Sequence, residues 1–249
     1  MANFEDYHRT VIGYHGTRRS VAVAIVQGER NFQTSRNRGD WLGNGVYFWE
    51  HAPQQAWAWA EQRRQLKGWN EETAVLASMI RLGACYDLLD HRNVEDLEKI
   101  YREYGAAESA AGRPLPNNRN HQKYLDCAVF QYAYTAIVAR GFKVDSCRAV
   151  YVPTEKDKRV WKRSWITRQA HIQICVRNMS CILGTWLVKP SQESGDGRTS
   201  QESPKTLDAI EDQARGRESE KDVDAGENPA HGEGRVDDSG GGGQGQGAG

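Results

Sequence analysis

The sequence predicts an α+β domain of about 190 residues followed by a disordered tail, and three observations carry that prediction. Strand-like and helix-like stretches are mixed along the chain without a regular βα alternation, which argues against a doubly wound parallel fold. Within residues 1–190 neither a GxGxxG nor a GxxxxGK run is present, which argues against the two common glycine-rich phosphate loops in the domain. Every aromatic residue lies at or before Trp186, and from Ser191 to Gly249 the chain is dominated by Gly, Ser, Glu, Asp and Gln. Such a segment cannot bury enough apolar surface to offset chain ordering, roughly 1 to 2 kcal/mol per residue for the backbone alone. Residues 1–190 are therefore expected to form the domain and 191–249 the disordered tail.

Taken in order, Val11 to Tyr14 reads as a short strand delivering His15. Val21 to Gln27 reads as a two-turn helix, with Ser20 as N-cap and Gly28 just past its end. A polar loop with Arg30, Arg36 and Arg38 leads to Asp40-Trp-Leu-Gly-Asn-Gly-Val-Tyr-Phe-Trp49, in which glycines at 43 and 45 free the backbone ahead of a β-branched and aromatic strand. Pro53 opens a second helix running to about Leu66 and ended by Gly68. Thr73 to Leu82 has the character of a buried strand and is followed by a separate stretch, Tyr86 to Asp90. Apolar residues at 94, 97, 100 and 101 predict a helix over 93–101, with a loop from 105 to 120. Tyr124 to Ala139 repeats apolar groups over about four turns and predicts a helix. Strands are expected over 146–152, 170–176 and 181–188, the first two joined by the charged Thr154 to Arg163 segment.

The formal net charge of zero hides a split. Residues 191–249 carry 14 acidic against 6 basic groups, leaving 27 basic and 19 acidic residues in the rest. A basic domain with an acidic tail suits a polyanionic substrate, and equally a solvated surface with a solubilising tail. Five cysteines (85, 127, 147, 175 and 181) form no CxxC pair and sit mostly in apolar runs, so buried free thiols are expected rather than disulfides or a zinc site. No signal peptide and no apolar run of membrane-spanning length are found, which predicts a cytoplasmic protein, or an effector delivered without a classical signal peptide.

Gly13-Tyr-His-Gly-Thr17, a short helix ending at Gly28, and Leu42-Gly-Asn-Gly-Val-Tyr-Phe-Trp49 followed by another helix resemble the catalytic half of the poly(ADP-ribose) polymerase (PARP) type of ADP-ribosyltransferase. That family carries a His-Gly-[Ser/Thr] strand, a Gly-x-Gly-[Ile/Val]-Tyr-Phe strand and a late strand bearing a glutamate. The resemblance covers residues 11–66 well and the remainder only by element order. It implies a split antiparallel β-sheet core with flanking helices, and NAD as co-substrate with no metal. It implies that His15 hydrogen-bonds the adenosine ribose and that Gly16, beside Thr17, grips the nicotinamide carboxamide through its backbone. Tyr47 would lie against the nicotinamide ring with Trp57 or Trp59 opposite, and Gln55 would stand where the family has a hydroxyl on the helix.

The late strand, Ala170-His-Ile-Gln-Ile-Cys-Val176, contains no carboxylate. Period-2 alternation puts His171, Gln173 and Cys175 on one face, and Gln173 is expected in the glutamate's place, ahead of His171. Glu50, Asp126 and Glu155 are the carboxylates considered for the vacancy. The implied activity is mono-ADP-ribosyl transfer to a protein or nucleic acid by a diverged, bacterial-type toxin or defence effector, with an antitoxin or immunity protein as a partner and no membrane involvement. The alternative is a catalytically inactive module that binds NAD or ADP-ribose on the same fold.

Overall fold

The computed structural model describes residues 6–119, 122–152 and 159–189. The expected tail, 191–249, and part of the charged segment before Arg159 lie outside the described residues. The elements are β1 (Asp6–Arg18), α1 (Arg19–Val26), β2 (Val46–Glu50), α2 (Pro53–Lys67), β3 (Thr73–Asp87), α3 (His91–Ala110), α4 (Tyr124–Ala139), β4 (Ser146–Tyr151), β5 (His171–Val176) and β6 (Ile182–Leu187).

The six strands form one mixed sheet ordered β1-β2-β5-β4-β3-β6, in which β1 also pairs with β3. Within it, β3 lies antiparallel between β1 and β6, and β5 lies antiparallel between β2 and β4. Two short junctions join these threes: β1 meets β2 only at Gly13 and Tyr14, and β3 meets β4 at Cys85 to Asp87. The second junction is parallel, which corrects the expectation of a purely antiparallel sheet. Two consecutive helices separate β3 from β4, and a chain that crosses over through helices returns in the same direction.

β3 is one 15-residue strand where the sequence suggested two stretches. Gly83, at φ +61, is the hinge: up to Ala84 the strand pairs with β1, and beyond it with β4. A side chain at Gly83 would collide with Asp145, whose carboxylate accepts the Ala84 N–H at 3.0 Å. β1 begins earlier than expected because β3 supplies a partner along its whole length.

Ser20 is not the cap of α1. The N-cap position is Arg18 with no side-chain bond, and the Ser20 N–H donates to Glu71, on the turn before β3, at 2.9 Å. A carboxylate distant in sequence but adjacent in space does the capping. α2 matches expectation, with Pro53 in its first turn and Gly68 at φ +62 receiving its end. α3 continues to Ala110, through the stretch expected to be a loop. Tyr104 is buried and packs 5.3 Å from Tyr132 of α4, and Arg140 pairs with Glu103 at 2.9 Å, so contacts with α4 carry the helix past Gly105.

One apolar cluster lies between the two three-stranded units and includes Val11, Phe48, Ile80, Leu82 and Ile174. A second, including Tyr86, Ile100, Phe130 and Tyr134, seats α3 and α4 against β4 and β5. All five cysteines are free and buried. Among the described residues no helix is long and apolar enough to cross a membrane.

Candidate functional site

A cavity of about 650 Å³ opens where β1 and β2 part. Strand parity explains the gap. The Ile12 carbonyl accepts from His51 N–H at 3.0 Å, so the peptide groups of Ile12, Tyr14 and Gly16 face β2, while those of Val11, Gly13 and His15 face β3. Pairing with β2 stops at Tyr14, which leaves the Gly16 N–H and C=O on an edge that borders the cavity.

His15 holds the strands at this spacing. Its Nδ1 lies 2.9 Å from the Tyr47 carbonyl, and a carbonyl can only accept, so Nδ1 carries the proton and Nε2 keeps a lone pair. The ring stands edge-on to Phe32 at 5.4 Å and tilted against Phe48 at 5.6 Å. Desolvation by these neighbours lowers its pKa below the usual 6.5, so the imidazole is neutral near pH 7.

Tyr47 organises the loop before it. Its hydroxyl donates to the Gly43 carbonyl at 2.7 Å and accepts from Leu42 N–H at 3.1 Å, closing a turn in which Gly43 N–H donates to the Asp40 carbonyl at 2.8 Å. Gly43 has φ +75, so the turn requires a glycine. Burial pushes the phenol's pKa well above 10, and with both hydrogen-bonding roles occupied the hydroxyl is no acid or base here. Tyr47 is among the residues that line the cavity. Gly45 serves a different purpose: a side chain there would fall on the Cys175 thiol, so this glycine lets β2 approach β5.

Gln173 also lines the cavity, inside a fixed chain of hydrogen bonds. The Trp41 indole donates to Gln173 Oε1 at 2.6 Å, and Gln173 Nε2 lies 3.1 Å from His171 Nε2. His171 Nδ1 donates to the Gln169 carbonyl at 2.6 Å, which leaves Nε2 to accept from the Gln173 amide. An indole only donates, so the amide orientation is set: one N–H serves His171 and the other is directed elsewhere. Tyr151 stacks on His171 at 5.1 Å, and burial lowers the His171 pKa.

The carboxylates considered for the vacancy do not fill it. Glu50 is buried and accepts from Arg148 Nε and Nη2 at 2.5 and 2.8 Å, while Arg148 Nη1 reaches Asp87 at 3.1 Å. Asp126 accepts from Asn118 at 2.7 Å away from the cavity lining, and Glu155 lies outside the described residues. The carboxylate that does line the cavity is Asp40, which accepts the Asn37 N–H at 3.1 Å. Sequence reasoning passed over it, although it directly precedes the Trp41 that orients Gln173.

α2 forms one wall. Trp59, Gln62, Arg63 and Leu66 recur at helical spacing and line the cavity, whereas Gln55 and Trp57 do not. Gln55 belongs to the same stripe one turn earlier, but the lining begins at Trp59, where the Trp49 indole packs at 5.6 Å. Thr17 lines the cavity beside Gly16. Of the arginines named from sequence, Arg30 and Arg36 line it and Arg38 does not; Arg18, which also pairs with Glu71 at 3.7 Å, and Arg63 join them, so four arginines and one carboxylate line the cavity.

Gln62 is the feature the sequence did not announce. It is 3 % exposed, and neither its amide nitrogen nor its amide oxygen has a hydrogen-bond partner among the described residues. Leaving a buried polar group unmatched costs about 1 to 3 kcal/mol, so a ligand that supplies a donor and an acceptor would recover that cost. Among the described residues no group of three or more His, Cys, Asp or Glu is placed to hold a metal ion.

The neutral state of both histidines sets a pH limit on stability. The unfolded chain binds protons on His15 and His171 near 6.5, while the fold withholds them, so stability is full above about pH 6.5 and falls as the pH drops through that window. At the alkaline end the sign reverses. Burial pushes Cys85 and Cys175 up to about 12, so above the ordinary thiol value of 9.0 the unfolded chain loses protons first and stability falls again. Melting temperature followed from pH 5 to 10 should show a plateau between these limits, and His15→Gln should flatten the acid limb.

Comparison with protein-family models, with curated proteins and with solved structures finds no match for the chain.

Proposed function

We propose that the protein is an NAD-dependent mono-ADP-ribosyltransferase that passes ADP-ribose to a macromolecular acceptor and releases nicotinamide. The observation that carries this reading is the open edge of Gly16, in a cavity that His15, Tyr47 and Trp59 also line. A peptide N–H and C=O side by side match the C=O and N–H of a primary carboxamide. An aromatic ring beside them suits a cationic pyridinium. The lone pair on His15 Nε2 suits a ribose hydroxyl, and four arginines suit a diphosphate. The division of the sheet into two antiparallel threes agrees with the split sheet that the sequence resemblance implies.

The reaction asks little covalent work of the protein. The bond between the ribose C1′ and the pyridinium nitrogen breaks with its electron pair going to nitrogen, so nicotinamide leaves neutral, and the acceptor's nucleophilic atom bonds C1′ and gives up a proton. Positioning and stabilisation of positive charge on the sugar are what remain. Gln173 is uncharged and, with its carbonyl held by Trp41, offers the sugar an N–H. In this reading Gln62, rather than Gln55, supplies the side-chain amide of the pocket.

Incubation with NAD and separate protein, RNA and DNA pools is the test: free nicotinamide and labelled acceptor are expected, and their absence from every pool refutes transfer. The tied carbonyl of Gln173 favours a second reading, a binding module that holds NAD or ADP-ribose without turnover. That reading predicts stabilisation by NAD with no nicotinamide formed. Gln62→Leu separates a ligand-binding amide from a structural one. It should raise the melting temperature of the free protein and cut NAD affinity about tenfold; destabilisation of the free protein would show that the amide is satisfied internally.

A further inference from the structure

Residues 159–167, ahead of β5, form a small hairpin. Arg159 and Thr167 form its bridge, the Val160 N–H donates to the Ile166 carbonyl at 3.0 Å, and the Ser164 N–H closes the tip on the Trp161 carbonyl at 3.0 Å. Arg163 at the tip has φ +66. Two indoles stand on this tip in open solvent: Trp165 is 96 % exposed and Trp161 60 %. Trp165 forgoes burial almost entirely and Trp161 in large part, and Ile166 beside them is also exposed.

Charge says what covers them. Arg159, Lys162, Arg163 and Arg168 are exposed on the same hairpin, none has an ion pair among the described residues, and no Asp or Glu occurs from Arg159 to Leu187. The hairpin is anchored to the site, because the buried Gln169 at its foot accepts from His171, whose other nitrogen meets the Gln173 amide. We propose that this hairpin is a docking platform for single-stranded nucleic acid, and that the strand held there is the acceptor. This substrate class rests on the transferase reading above; the docking itself does not.

Exposed cations match phosphates, and indoles match base faces, whose stacking tolerates any sequence. Duplex is disfavoured because its base faces are already stacked on one another, out of reach of a side chain. An acidic protein would satisfy the cations but would leave the two indoles without flat partners.

Binding of a fluorescein-labelled twelve-nucleotide oligo(dU) to the full chain, followed by anisotropy, tests this. The expected result is quenching of tryptophan emission, affinity about tenfold above that for a duplex of equal length, and loss of about tenfold in affinity for Trp165→Ala. Lys162→Gln with Arg163→Gln should flatten the salt dependence. Equal affinity for duplex, full affinity in Trp165→Ala, or competition by poly-glutamate as effective as by unlabelled oligonucleotide would each overturn the proposal. Trp165 is almost wholly exposed, so its removal leaves the fold intact. Stabilisation of the same variant by NAD keeps the two readings apart: lost oligonucleotide binding with retained NAD stabilisation isolates the hairpin, and the reverse pattern in wild type would refute the NAD pocket alone.

Discussion

Arg148→Met is expected to destabilise the fold by about 3 to 5 kcal/mol. Arg148 lies on β4 with its side chain 3 % exposed, and it reaches over β5 to Glu50 of β2 while also bonding Asp87 of β3. Removing the guanidinium leaves two carboxylates, 5 % and 7 % exposed, facing one another without a cation. Uncompensated charge in so dry a place costs far more than the lost packing of the arginine stem. In urea denaturation the loss should appear as a lower midpoint at an unchanged slope. A change below about 1 kcal/mol would mean that water reaches the carboxylates once the arginine is gone. The network also shows why Glu50 is unfit for catalysis: both its oxygens are committed to Arg148.

Gly16→Ala should remove NAD binding and lower stability together. A methyl at this position would land on the Ala56 carbonyl and press on the Ala60 methyl, both on α2. Backbone cannot yield as a flexible side chain would, so the helix must move away from β1. Overpacking of this kind costs about 1 to 3 kcal/mol. The displaced helix carries Trp59, Gln62 and Arg63, so the wall of the cavity moves with it. Thermal unfolding with and without NAD reads both effects at once. A variant that is destabilised but still stabilised by NAD to the wild-type extent would separate α2 from the ligand and count against the pocket's proposed occupant.

The candidate site was legible wherever the chemistry is local. His15-Gly16-Thr17 and the Gly43 to Trp49 stretch do come together, because a strand and the turn that feeds its neighbour are both written in short runs of residue types. Gln173 also falls beside them, since alternation along β5 is a property of the strand itself. Trp57 and Trp59 could not be ranked, because a helix stripe shows which residues are neighbours and not which turn meets a cavity. Gln62 was invisible for a related reason: a glutamine in a polar helix has no sequence signature for being buried without a partner. Asp40 and the Trp41 clamp on Gln173 depend on a contact spanning 132 positions, which no local pattern encodes.

By itself, the sequence determined the kinds of element and most of their order. α2 and α4 follow from a proline start, glycine stop and helical spacing, and the alternating or β-branched runs became strands. Only the tertiary structure decided where elements stop when the stopping signal is a contact. Glu71 rather than Ser20 caps α1, α4 holds α3 in helix past Gly105, and Gly83 lets one strand serve two sets of partners. It alone decided that the β3–β4 junction runs parallel, and that β1 and β2 separate after two residues to leave an opening. The physical reason is the same in each case. Propensity and periodicity act over a few residues, whereas hydrogen-bond partners, charge pairs and steric limits are set by groups that meet only once the chain has closed on itself.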